Sequence, residues 1–178
     1  MRMIIKKFGV VLESLTPETA ELVRIWRNNS DINQFMDYRK QITVNEQKRW
    51  FEKIQNTNSN YFLIRKNELP IGMIHIEKID LNKQSAHVGL FIGDVNYHGT
   101  GVALSASLCL LEYAFGSLSL HSVVAKVKND NTLAIEYNQF LGFESHEKFN
   151  DEFSYWILTR KRFELKKDAL LKYVNFIN

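Results

Sequence analysis

The stretch from Met3 to about Glu13 is rich in apolar, β-branched residues with polar ones interspersed, and the pattern predicts a single strand there. A helical period then follows. Thr16 ahead of Pro17 pairs a capping hydroxyl with a proline at the first helical position, and Leu22, Val23 and Trp26 share one face of the helix that follows. Arg27, Asn28 and Asn29 mark its end, and Ile32, Phe35 and Met36 predict a second, short helix. Thr43 and Glu46 stand at capping-box spacing before the stripe Trp50, Phe51 and Ile54, which predicts a third helix ending near Asn56.

Three β-rich runs follow, Tyr61 to Arg65, Ile71 to Ile79 and Ser85 to Gly93, separated by the turn-forming stretches KNELP and DLNK; they predict an antiparallel meander. In the third run Ala86, Val88, Leu90 and Ile92 point one way and His87, Gly89, Phe91 and Gly93 the other, so its two faces have different tasks. Gly101 to Phe115 is almost wholly apolar, with Leu104, Leu108, Leu111 and Phe115 on one stripe, and this predicts a central, well-covered helix. With a strand at Ser122 to Val127, residues 85 to 127 form a βαβ unit with a right-handed parallel crossover. Asn131 to Leu141 predicts a helix ended by Gly142, Phe143 to Lys148 and Phe153 to Leu158 a last pair of strands, and Phe163 to Phe176 a helical tail. The fold class is α/β with mixed α+β character: a central, partly parallel sheet of about seven strands flanked by helices, with an extra C-terminal helix.

A length of 178 residues suits one domain spanning residues 1–178, and twelve Phe, seven Tyr and three Trp are far too many for a disordered chain. The net charge of +3 is too small to imply nucleic acid, and the short basic clusters near both ends read as solvated surface. No apolar run approaches the roughly eighteen residues of a membrane span, and no signal-peptide core is present, so a soluble cytoplasmic protein is expected. The single Cys109 excludes a disulfide framework or a Cys-pair metal site, and no metal is expected. Leu170, Leu171, Val174 and Phe176 leave room for a homodimer contact.

The segment from Tyr97 to Ala103 lies between a predicted strand and the buried helix, where glycines allow a tight turn and the helix-start N–H groups attract phosphate oxygens. A pyrophosphate-bearing ligand suits it; an ordinary strand-to-helix turn is the alternative. The missing Lys argues against a Walker loop, and Leu104 stands where a dinucleotide fingerprint needs a third glycine.

His98-Gly99-Thr100-Gly101-Val102-Ala103 resembles the Arg/Gln-x-x-Gly-x-Gly/Ala motif of the GNAT superfamily of N-acetyltransferases, with His98 in place of the usual Arg or Gln. Asn131 to Phe143 is similar to that superfamily's Asn-x-x-Ala helix ending in Gly-Phe, and the segment Trp26 to Met36 resembles the Trp-Arg-Asn region of the PseH-like nucleotide-sugar N-acetyltransferases. The resemblance implies acetyl-CoA as cosubstrate and a small-molecule acceptor amine, with neither nucleic acid nor membrane as partner. It assigns the pyrophosphate to His98, Gly99, Thr100, Gly101, Val102 and Ala103. The pantetheine arm falls to the backbone of Leu90, Phe91 and Ile92, with Asn131 as a further contact or simply a helix cap. The acceptor pocket falls to Trp26, Arg27, Asn28, Phe35 and Met36, with His75 and Glu77 beside them. Trp26 is as readily core, and Arg27 suits either a substrate phosphate or an ion pair.

His87 occupies the position where many members carry a strand Glu and is the first candidate for the base, with His75 and Glu77 as reserves. The family's acidic Tyr stands four residues before the Gly of Gly-Phe; here that position is Asn138, with Tyr137 one place earlier and about 100° away around the helix. Either Asn138 orients the thiol and water protonates it, or local geometry brings Tyr137 to the sulfur. A nucleotide-linked amino sugar is the expected acceptor; a protein N-terminus, a small amine, or a non-catalytic acyl-CoA-binding role are the alternatives.

Overall fold

The computed structural model describes residues 2–177, with the side chains of 176 and 177 outside the described set. An eight-stranded sheet runs in the order β1-β2-β3-β4-β5-β6-β8-β7, and every neighbouring pair is antiparallel except β5 and β6. The strands are β1 Ile4–Lys7, β2 Val10–Ser14, β3 Asn60–Lys66, β4 Leu69–Asp80, β5 Ser85–Ile92, β6 Ser122–Lys128, β7 Glu144–Lys148 and β8 Phe153–Thr159. The helices are α1 Pro17–Arg27, α2 Ser30–Asn33, α3 Val44–Ile54, α4 Val102–Glu112, α5 Thr132–Leu141 and α6 Arg160–Ile177.

The sheet has one strand more than expected, because the first apolar-rich stretch folds into a hairpin. Phe8 and Gly9 take φ values of 52° and 70°, and Lys7 pairs with Val10, which is the two-residue turn whose twist matches the flanking strands. The turn residue Phe8 is apolar and packs against the core, so the apolar-rich stretch concealed the turn.

Thr16 caps α1 as read, and Thr19 completes its capping box; Thr43 and Glu46 form the box that opens α3. α1 and α3 pack together on one face of the sheet, where Leu15, Val23, Leu63 and Met73 are buried. α4 covers the other face against β1, β2, β4 and β5, with Leu104 to Leu111 all buried. A π turn, Tyr113–Ser117, replaces the predicted last α-helical turn, and Phe115 packs on Phe163 of α6 at 5.3 Å.

On α6, Leu170 and Val174 are buried in the main core and Leu171 packs against it, which corrects the expectation that they form an outward-facing partner surface. Phe176 falls outside the described side chains. Among the described residues, no helix is long and apolar enough to cross a membrane and no acidic, His or Cys cluster is placed to hold a metal.

Candidate active site

β5 and β6 run parallel only from Ser85 and Ser122 to Val88 and Ala125, although β5 continues to Ile92 and β6 to Lys128. Beyond Val88 the edge of β5 facing β6 therefore has no strand partner, and a cavity of about 860 Å³ opens there. The opening passes between the two layers: Leu90 and Ile92 belong to the α4-side core, and Phe91 to the cluster under α1 and α3. A smaller groove of about 580 Å³ lies between β1, the π turn and α6, where Lys7 and Lys167 both pair with Glu112 at 2.5 and 3.0 Å, so its charges are largely matched internally.

The start of α4 borders the larger cavity through Ala103. Gly101 is its N-cap residue at φ 80°, a left-handed conformation that other residues adopt only at a cost, and no side chain caps the helix. The first amides of α4 are thus left for an external acceptor, and the helix dipole adds to their pull on an anion. Thr100 Oγ1 turns away to donate to the Tyr97 carbonyl at 2.8 Å. The His98 ring lies at the cavity and its Nε2 is 3.1 Å from the Ile92 carbonyl, which ties the loop to the end of β5. Gly99, Thr100, Gly101 and Val102 present no side chain to the cavity, so any part they take in binding is through backbone. An uncapped helix start beside an unpaired strand edge fits a pyrophosphate joined to an amide-bearing arm.

On α5, Asn131 caps the helix by accepting from the Ala134 N–H at 3.1 Å and also lines the cavity. Tyr137 lies at the cavity wall, with its hydroxyl 2.7 Å from Ser107 Oγ of α4. Burial pushes that hydroxyl well above the usual tyrosine range, opposed by the Ser107 hydrogen bond, so it stays protonated. Asn138 also lines the cavity, yet its amide donates to the Ala134 carbonyl of its own helix at 2.7 Å. Of the two neighbours, Tyr137 is the one that carries a hydroxyl proton at the cavity wall.

Across the cavity the groups are side chains. Arg27, Phe35, Met36, His75, Glu77 and His87 all line it. Trp26 does not: its ring meets Phe91 edge-on at 6.3 Å and lies over Gly93, where an added Cβ would fall 2.2 Å from the indole. Asn28 does not either; it accepts from the Ile42 N–H at 2.8 Å and donates to the Ile42 carbonyl at 2.9 Å, pinning the loop before α3. Both expectations are thereby corrected from acceptor contact to scaffold.

The loop carrying Phe35, Met36 and Tyr38 is tethered over the cavity by ion pairs of Asp37 with Lys126 and of Arg39 with Glu152. Arg27 donates to the Tyr38 carbonyl at a long 3.5 Å, its Nε has no partner, and among the described residues no carboxylate pairs with it. Burial lowers its pKa, opposed by the nearby Tyr61 and Tyr38. A half-buried guanidinium without an anion is an incomplete ion pair.

Burial drives the His75 imidazole down to about 4 and, helped by Lys78 and Lys126, holds His87 below its ordinary range, so both rings are neutral near pH 7. Burial pushes the Glu77 carboxyl up, but the Tyr61 hydrogen bond first, then electrostatic coupling to His75, Lys78 and His87, outweighs it, leaving Glu77 below its usual value. Tyr61, Ser107 and Lys126 line the cavity and were not anticipated. Ser105 and Ser107 inside an otherwise apolar helix were the available signal for Ser107, and cross-strand pairing with His75 is what brings Tyr61 in.

The model of the Acetyltransferase (GNAT) domain matches residues 10–144. Acetyltransferase PseH of Campylobacter jejuni is 32% identical over 138 residues, covering 77% of this chain and 84% of that protein. Among solved structures, the apo form of FdhC, described as a nucleotide-linked sugar GNAT, superposes with a TM-score of 0.81 at 20% identity over 100% of both chains. Spermidine N-acetyltransferase from Vibrio cholerae, in complex with CoA and spermine, superposes with a TM-score of 0.77 at 19% identity over 88% of this chain and 98% of that one. At these identities the superpositions establish the fold, while the family match and the PseH relative establish descent: the chain belongs to the GNAT acetyltransferase family and is an acyltransferase.

Proposed function

We propose that this enzyme transfers the acetyl group of acetyl-CoA to the primary amine of a nucleotide-linked amino sugar by direct attack. The observation that carries the acceptor class is Arg27, a guanidinium facing the cavity without a carboxylate partner among the described residues. A substrate phosphate would complete that pair with charge-assisted hydrogen bonds, whereas a polyamine would meet like charge. The resemblance of Trp26 to Met36 to PseH-like enzymes and the fold shared with a nucleotide-linked sugar GNAT support the same reading.

On the donor side, the amides from Gly99 to Ala103 hold the pyrophosphate, and the free edge of β5 at Leu90 to Ile92 pairs with the pantetheine arm, with Asn131 beside it. Acetyl-CoA supplies the electrophilic thioester carbonyl. The cluster of His87, His75 and Glu77 takes the proton of the incoming ammonium, and Tyr137, bonded to Ser107, returns a proton to the leaving sulfur. Cys109 takes no part: it is fully buried, and burial pushes its thiol up to about 11.

A thiol-release assay with acetyl-CoA and matched acceptors tests the proposal. The nucleotide-linked amino sugar is expected to exceed the same sugar without its nucleotide by at least about tenfold in kcat/KM, the effect of one charge-assisted contact. Equal turnover of the two, or turnover of peptides alone, contradicts it.

A further inference from the structure

Strand pairing sets Tyr61 opposite His75 and Glu77 opposite His87, so three adjacent strands bring four polar side chains to one wall of the cavity. The Tyr61 ring is stacked on His75, with centroids 5.1 Å apart and planes 23° apart, and Trp50 meets it edge-on at 5.2 Å. Held on two sides, the ring directs its hydroxyl at Glu77 Oε2, 2.5 Å away.

The charged and titratable groups around this carboxylate are Tyr61 on β3, His75 and Lys78 on β4, and His87 on β5; Arg27 of α1 and Lys126 of β6 act on the rings beside it, and Tyr155 of β8 lies edge-on to His87. With both imidazoles neutral, Glu77 is the negative charge in this cluster. An amine acceptor arrives as its ammonium form and must lose a proton before it attacks.

We infer that Tyr61 is a positioning residue for acetyl transfer: its hydroxyl, donated to Glu77 Oε2, fixes that carboxylate as the group that receives the acceptor ammonium and accepts its proton. The inference rests on the proposed function and narrows the base from the cluster to Glu77. One N–H proton passes to Glu77, the freed lone pair forms the N–C bond, the C–S bond breaks as Tyr137 gives its proton to the sulfur, and the second N–H proton restores the Tyr137 hydroxyl. The sum is amide, free thiol and one proton released from Glu77 to water.

The test is the pH profile of kcat/KM for the unaltered enzyme, Tyr61→Phe and Glu77→Gln, with CoA affinity measured on each. Phe retains both ring contacts and removes only the donor. Because the Tyr61 hydrogen bond lowers the Glu77 pKa, its loss should move the acidic limb of Tyr61→Phe to higher pH and cost about tenfold at neutral pH. Glu77→Gln should lose about a hundredfold or more across the range and lack that limb. CoA affinity should be unchanged in both. An acidic limb coincident with that of the unaltered enzyme in Tyr61→Phe, or a tenth or more of the activity surviving in Glu77→Gln, overturns the inference. Should Tyr61→Phe fail to bind CoA, Glu77→Asp, which draws the carboxylate back from Tyr61, must show the same displaced limb or the inference falls. Absence of turnover with every amine in the unaltered enzyme would refute the proposed function itself, and the inference with it.

Discussion

At the start of α4 and along β5 the cavity presents main-chain amides and a bare strand edge, whereas on the α1 side it presents side chains: Arg27, Tyr61, His75, Glu77 and His87. A backbone site recognises what every ligand of one class shares, in the proposed function linked phosphates and an amide arm, and tolerates sequence change around its glycines. A side-chain site discriminates, and each residue in it has its own charge and partner. The two walls therefore answer differently to substitution.

The largest effect is expected on the side-chain wall. Arg27→Met should raise the acceptor KM about ten- to a hundredfold, the magnitude of a lost charge-assisted hydrogen bond, while CoA affinity stays as it was; steady-state kinetics and calorimetry separate the two. The complementary break is Gly101→Val, which forces a β-branched residue into a left-handed conformation at about 1–2 kcal/mol and should weaken CoA binding about tenfold without altering acceptor preference.

A smaller effect concerns pH. His75 is held neutral to about 4 in the folded enzyme but protonates near its ordinary value of 6.5 when unfolded, so stability is complete above that value and declines as pH falls towards 4. Thermal unfolding across that window should show the decline, and His75→Gln should flatten it. The smallest is Asp37→Asn, which removes one exposed tether of the loop over the acceptor wall and should change the acceptor KM by no more than about threefold.

The same contrast governs what the sequence makes legible. The helix starts at Thr16 and Thr43, the βαβ unit and the glycine turn before α4 are local patterns, and each element lies where its pattern places it. The Phe8-Gly9 hairpin was hidden because its first turn residue is apolar and sits within an apolar-rich stretch. On the side-chain wall, the placement of Tyr61 and Lys126 depends on strand register and on a contact 89 residues away in the chain, which no local pattern encodes. Trp26 and Asn28 show the converse: a familiar segment names the right helix, but whether a side chain on it faces ligand or scaffold depends on Gly93 and Ile42, in other elements. Likewise Tyr137 and Asn138 both reach the cavity, and only their hydrogen bonds to Ser107 and Ala134 separate their chemistry.

The most direct measurement is an amide-resolved NMR titration of the enzyme with CoA. Shifts concentrated at Gly99 to Ala103 and along Leu90 to Ile92, with Arg27 and Glu77 little changed, are the predicted result. Saturable binding that leaves the amides of Gly101 to Ala103 unperturbed would contradict the account.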